Sequence, residues 1–187
     1  MTNEAAREAR FRIAPFDPQG HDRTAFSCGV DQIDNFLKRT ARKHQKGDFT
    51  RVWVAVRPAE RRVLGYYAIN AHAIETGDLP EALRKRAPRH GQVGAAYLSM
   101  IAVDVAARGQ GLGRILLADA LKRVAAVSGD IGIFAVVLDV LDDGDAHAME
   151  RRRRFYQAFG FIPFPSQPLR MFLPVQTIRD SLRTRSE

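Results

Sequence analysis

The 187-residue chain, 45% hydrophobic and 27% charged, has the composition of a folded globular protein, long enough to bury one substantial core, and is expected to form one domain over residues 1–187. No apolar run approaches the roughly 20 residues of a membrane-spanning helix, residues 1–12 are polar, and a single cysteine, Cys28, excludes an internal disulfide and a cysteine-built metal site. A cytoplasmic protein with no metal and no membrane partner is expected, the histidines lying without ligand spacing, while a net charge of +8 points to a polyanionic partner.

Residues 1–9 are expected to be frayed and 11–15 to form a first strand. In Phe26-Ser-Cys-Gly-Val-Asp-Gln-Ile-Asp-Asn-Phe-Leu37, Val30, Ile33, Phe36 and Leu37 recur at helical spacing, with Asp31 and Asp34 where the helix dipole favours anions. A basic continuation, Lys38, Arg39, Arg42, Lys43, His44 and Lys46, closes at Gly47-Asp48. Residues 51–56 and 63–69 predict a hairpin around a turn at 58–62. A polar connection then holds a short helix over 81–87 and a second basic group, Arg84, Lys85, Arg86, Arg89 and His90.

The informative stretch is Ala96-Tyr-Leu-Ser-Met-Ile-Ala-Val-Asp104, then Arg108-Gly-Gln-Gly-Leu-Gly-Arg114, then apolar residues at helical spacing to Ser128, which reads as strand, tight loop, helix. Beyond Gly129, residues 133–141 have the unbroken apolar and β-branched character of a buried parallel strand. A helix through Arg151, Arg152, Arg153, Arg154 and Tyr156 stops at Gly160, residues 161–164 and 169–174 form a last antiparallel pair, and 176–187 are left as a tail. Strands first, then strand and helix alternating, argue for a mixed α/β sheet.

Glycines at 109, 111 and 113 let the backbone turn sharply and approach a ligand, and the first amides of the following helix face it, so the loop suits a phosphate. It is neither a Walker A loop nor a dinucleotide fingerprint. Arg108, Gly111 and Gly113 fit the Arg/Gln-x-x-Gly-x-Gly/Ala pyrophosphate loop of the GNAT superfamily of acetyltransferases, and Ile101-Ala-Val-Asp104 and Phe155-Tyr-Gln-Ala-Phe-Gly-Phe161 resemble that superfamily's fourth strand and last helix-to-strand corner. The resemblance implies a GNAT fold, with a central mixed sheet splayed between strands four and five, helices on both faces and acetyl-CoA in the opening. Arg108, Gly109, Gln110, Gly111, Leu112, Gly113 and Arg114 would then hold the pyrophosphate, and Met100, Ile101, Ala102 and Val103 the pantetheine arm, with a backbone amide near Ala102 polarising the thioester carbonyl.

Acetyl transfer to an amine needs a docked donor, a neutral amine, oxyanion stabilisation and a proton for the leaving thiolate. By the same resemblance Tyr156, one turn before the Gly-Phe corner, donates that proton. Asp104, Asp139 and Glu150 show no defined partner that would make one of them a base. A site without a base suits an α-amine, with a pKa near 7.7–8.0, better than a lysine near 10.4.

Residues 10–175 resemble one branch of the superfamily, the TacT-type toxins of bacterial toxin-antitoxin systems, which acetylate the α-amine of aminoacyl-tRNA and stop translation. The resemblance is carried by residues 26–37, Val63-Leu-Gly-Tyr-Tyr67, Ile101-Ala-Val-Asp104 with the glycine loop, and Phe155-Tyr156 with Gly160-Phe161. It implies a homodimer neutralised by a small ribbon-helix-helix antitoxin. The clusters Lys38, Arg39, Arg42, Lys43, Lys46; Arg84, Lys85, Arg86, Arg89; and Arg151, Arg152, Arg153, Arg154 are then candidates for tRNA phosphates. One departure stands out: many such toxins carry Arg-Leu-Ala-Val-Asp where this chain has Met100-Ile-Ala-Val-Asp. A small-molecule or protein amine as acceptor, and a non-catalytic basic nucleic-acid or partner-binding module, are the alternatives.

Overall fold

The computed structural model describes residues 10–89 and 91–184. The expected frayed end at 1–9, His90 of the second basic group and the last three residues of the tail lie outside the described residues. The elements are β1 (Arg12–Pro15), α1 (Asp31–Asn35), a wide π turn (Phe36–Thr40), α2 (Ala41–Lys46), β2 (Arg51–Val56), β3 (Gly65–Glu75), α3 (Glu81–Arg84), β4 (Gln92–Val103), α4 (Leu112–Val127), β5 (Ala135–Asp139), α5 (Ala146–Gln157), β6 (Ile162–Phe164), β7 (Gln167–Pro174) and α6 (Val175–Thr184). The strands make a mixed sheet of seven in the order β1-β2-β3-β4-β5-β7-β6.

The chain folds as two compact units, Met1–Asn70 with Leu98–Ala120, and Ala71–Tyr97 with Leu121–Glu187. In the first unit β1, β2 and β3 form an antiparallel meander, with Arg12 opposite Val56 and Arg51 opposite Ile69. Its core gathers Phe16, Phe26, Leu37, Val52, Val54 and Tyr66, with Met100 packed against it. Tyr66 is fully buried, and its hydroxyl donates to the Ile33 carbonyl at 2.8 Å. In the second unit β5 pairs parallel with β4, Ala95 opposite Ala135 and Tyr97 opposite Val137, and antiparallel with β7, Ala135 opposite Pro174 and Asp139 opposite Arg170. Four consecutive buried residues of β5, Ala135 to Leu138, follow from this two-sided pairing, because a central strand meets apolar cover on both faces.

Several elements depart from the sequence reading: α3 ends at Arg84 and not at residue 87, and β4 begins at Gln92, four residues before Ala96. The helix expected to run unbroken from residue 30 to 46 widens at Phe36–Thr40, where the Ala41 amide reaches back to the Phe36 carbonyl. The extra residue in that turn keeps both Leu37 and Ala41 at 0% exposure. Strand β3 continues to Glu75, well past residue 69. The tail expected at 176–187 is helix α6 through Thr184, with Val175 and Ile178 buried and the Arg179 guanidinium donating to the Ser128 carbonyl at 3.0 Å.

Candidate active site

Asp104, directly after β4, is a buried carboxylate, 1% exposed. Its Oδ1 accepts the Ala106 amide at 2.8 Å, its Oδ2 accepts the Ser27 amide at 3.1 Å, and the Arg62 guanidinium stands 3.6 Å away. The Val105 amide returns a bond to the Ser27 carbonyl at 2.8 Å. Beyond the short turn Val105–Ala107, the Arg108 guanidinium donates to the Cys28 carbonyl at 2.6 Å. Ser27 and Cys28 are thus bolted to both ends of the turn that launches the glycine loop. Cys28 is buried, and burial pushes its thiol up to about 12, so it is no nucleophile.

Gly109 and Gly111 adopt φ of 73° and 79°, the left-handed region that glycine enters without strain. A Cβ at Gly109 would meet nothing within 4 Å, so the loop faces open space. Among the described residues, the amides of Gly109, Gln110 and Gly111 reach no backbone carbonyl. Helix geometry orphans the first amides of α4 as well, at Leu112 and Gly113. A run of uncommitted amides at the positive end of a 16-residue helix fits a pyrophosphate. Leu112 is 1% exposed, so it offers its amide and not its side chain. Arg108 and Arg114 are exposed, Arg108 spending its Nη2 on Cys28. In β4, Ala102 is buried and Met100, Ile101 and Val103 half-buried.

Tyr156 belongs to the second unit. Asp145 caps α5 by accepting the Ala148 amide at 3.0 Å, and the helix closes at Gly160, φ 92°, with the Phe161 amide returning to the Tyr156 carbonyl at 3.2 Å. Phe155 and Phe161 lie edge-on to the Tyr156 ring at 5.3 and 5.9 Å. The residue is 8% exposed, and its hydroxyl makes no hydrogen bond among the described residues. Burial pushes the phenol up to about 12, against a small opposing pull from Arg152.

The three carboxylates left without partners by the sequence all have them. Asp104 is committed as above. Asp139 accepts the Tyr97 hydroxyl at 2.7 Å and lies 3.7 Å from Arg170, which also meets His72 Nε2 at 2.9 Å. Burial, and next the Arg170 charge, lower His72 below its ordinary value, so the imidazole stays neutral at pH 7. Glu150 takes both Arg153 and Arg154, at 2.8 and 2.9 Å.

Ion pairing separates the basic clusters. Arg152 grips Asp143 through two bonds of 2.9 and 2.7 Å, holding that carboxyl down to about 2, so three of the four arginines 151–154 are paired within the unit. Lys85 pairs with Glu81 at 2.8 Å. In the first unit Arg39, Arg42, Lys43 and Lys46 are exposed and form no ion pair among the described residues, and half-buried Lys38 lines a cavity of about 710 Å³ with Arg23, Arg61 and Arg62.

Residues 48–163 match the acetyltransferase (GNAT) domain. The probable toxin TacT of Sinorhizobium fredii is 49% identical over 179 residues, 96% of this chain and 98% of that protein. The tRNA-acetylating toxin of Mycobacterium tuberculosis is 32% identical over 158 residues, 84% of this chain and 89% of that protein. The structure of AtaT complexed with acetyl-methionyl-tRNAfMet superposes with a TM-score of 0.81 at 26% identity, covering 92% of this chain and 99% of that one. The chain belongs to the GNAT acetyltransferase family and is an N-acetyltransferase. Among the described residues, no helix is long and apolar enough to cross a membrane.

Proposed function

We propose that this N-acetyltransferase is a toxin that moves the acetyl group of acetyl-CoA to the α-amine of aminoacyl-tRNA. The observation that carries the reading is near-full-length similarity to a probable TacT toxin and to a tRNA-acetylating toxin, joined to an exposed basic stretch, Arg39 to Lys46, that no carboxylate among the described residues neutralises. Acetyl-CoA supplies the thioester. The amides from Gly109 to Gly113 hold its pyrophosphate, the main chain of Met100 to Val103 lines the pantetheine arm, and an amide near Ala102 stabilises the oxyanion. Tyr156, its phenol pushed up to about 12 by burial, stays protonated at physiological pH and delivers that proton to the departing thiolate. Because Asp104, Asp139 and Glu150 are all engaged, the acceptor must arrive with a fraction of its amine already neutral, which favours an α-amine over a lysine.

Met100 stands where many such toxins carry arginine and packs against the first unit's core, so any acceptor contact from that arginine is supplied elsewhere or not at all. The same reading carries a cytoplasmic homodimer restrained by a ribbon-helix-helix antitoxin. Competition kinetics test it. Thiol release from acetyl-CoA should be far faster with charged tRNA than with free amino acids, peptides or lysine, and should fall steeply with salt. Equal, salt-insensitive rates on free amines would transfer the activity to a small-molecule acceptor.

A further inference from the structure

We propose that Phe49 is a stacking platform for an unpaired nucleobase of the bound tRNA. At 68% exposure it is the most exposed large apolar side chain among the described residues, and nothing in its own unit covers it. It is nevertheless held in place. The Phe49 amide donates to the His44 carbonyl at 3.0 Å, and the Gly47 amide to the Lys43 carbonyl at 3.0 Å. Asp48 takes the left-handed conformation, φ 60°, that aspartate tolerates better than most side chains, and its carboxylate receives Arg51 at 2.7 Å. The ring lies so close over Gly47 that a Cβ there would come within 2.7 Å of Phe49 Cε2. His44 meets it edge-on at 6.0 Å and is itself edge-on to Phe36 at 5.9 Å. The following residue, Thr50, is anchored by a hydroxyl bond of 2.9 Å to Asn70.

A turn that spends a left-handed aspartate and a glycine on fixing an exposed phenyl ring is not a loop tip awaiting burial. Its chemical setting names the occupant. The same segment carries Arg39, Arg42, Lys43 and Lys46 without ion pairs among the described residues, while Arg51 two residues on is spent on Asp48. An exposed aromatic face among free cations is how single-stranded nucleic acid is held, cations on phosphates and the ring on a base. A protein partner with a matching apolar patch would have to be acidic to sit there.

This inference rests on the aminoacyl-tRNA reading, and the test separates the two. Equilibrium tRNA binding is measured against salt for the full chain and for Phe49→Ala, Phe49→Trp and the triple change Arg42→Gln, Lys43→Gln, Lys46→Gln. Phe49→Ala should weaken binding roughly 5- to 150-fold with an unchanged salt slope. The triple change should flatten that slope by about 0.7–0.9 for each phosphate no longer neutralised. Phe49→Trp should keep the affinity and lose tryptophan emission on adding tRNA, beyond any change in the wild type, whose Trp53 reports alone. Wild-type affinity in Phe49→Ala, or no emission change in Phe49→Trp, overturns the platform and leaves the tRNA reading standing. Lost self-association in Phe49→Ala with intact tRNA binding overturns it in favour of a protein interface. No tRNA binding by the wild type overturns the tRNA reading and the platform together.

Discussion

At the scale of single residues, two buried polar groups carry opposite duties. Asp104 works for the fold: its two oxygens hold the Ala106 and Ser27 amides, so removing this buried carboxylate takes the partner from two part-buried amides. Asp104→Ala should lower unfolding stability by about 2–4 kcal/mol, read from urea denaturation. Tyr156 is the acid of the proposed reaction: its hydroxyl has no partner to lose among the described residues, so Tyr156→Phe should leave stability and acetyl-CoA affinity within about 3-fold while cutting turnover by roughly 10²–10⁴. The pH profile follows from the same burial. The acid must be protonated to act, and with its pKa pushed up to about 12 it remains so well beyond neutrality. The rate should therefore rise as an α-amine of pKa about 7.7–8.0 deprotonates, then stay level to about pH 10. A falling limb below pH 10 in the wild type would remove Tyr156 as the donor.

At the scale of elements, what is legible in the sequence is what local chemistry decides. Strand β2 forms over the residues expected for it because Arg51-Val-Trp-Val-Ala-Val56 is rich in β formers between a Gly-Asp turn and a Pro-Ala turn. The glycine loop is legible for the same reason, its positive φ values demanding glycine at 109 and 111. Gly111→Asp should strain that turn and set a carboxylate against the pyrophosphate, abolishing calorimetric acetyl-CoA binding; retained tight binding would mean that the loop holds something else. Helix α6 escapes a sequence reading although Val175, Ile178 and Leu182 keep helical spacing directly after Pro174, because a short polar C-terminal segment looks like a tail. The wide turn at Phe36–Thr40 is not legible, since only packing decides that Leu37 and Ala41 must both face inward. The role proposed for Tyr156 comes through resemblance to a family, and that its hydroxyl has no partner among the described residues needs the structure.

At the scale of the molecule, net charge of +8 overstates the surface available to a polyanion. The four arginines 151–154 look like the strongest cluster in sequence, yet Asp143 and Glu150 engage three of them, whereas the segment from Arg39 to Lys46 stands unopposed among the described residues. Neutralising Arg42, Lys43 and Lys46 should thus reduce tRNA affinity and its salt dependence more than neutralising Arg152, Arg153 and Arg154, in filter binding across a salt series. The reaction proposed for this enzyme is transfer of acetyl to the α-amine of aminoacyl-tRNA. The most direct measurement is mass spectrometry of total charged tRNA after incubation with isotopically labelled acetyl-CoA and the protein. Labelled N-acetyl-aminoacyl adenosine from one or a few tRNAs, absent with Tyr156→Phe, is the expected result. Unlabelled tRNA from a protein that demonstrably binds acetyl-CoA would contradict it.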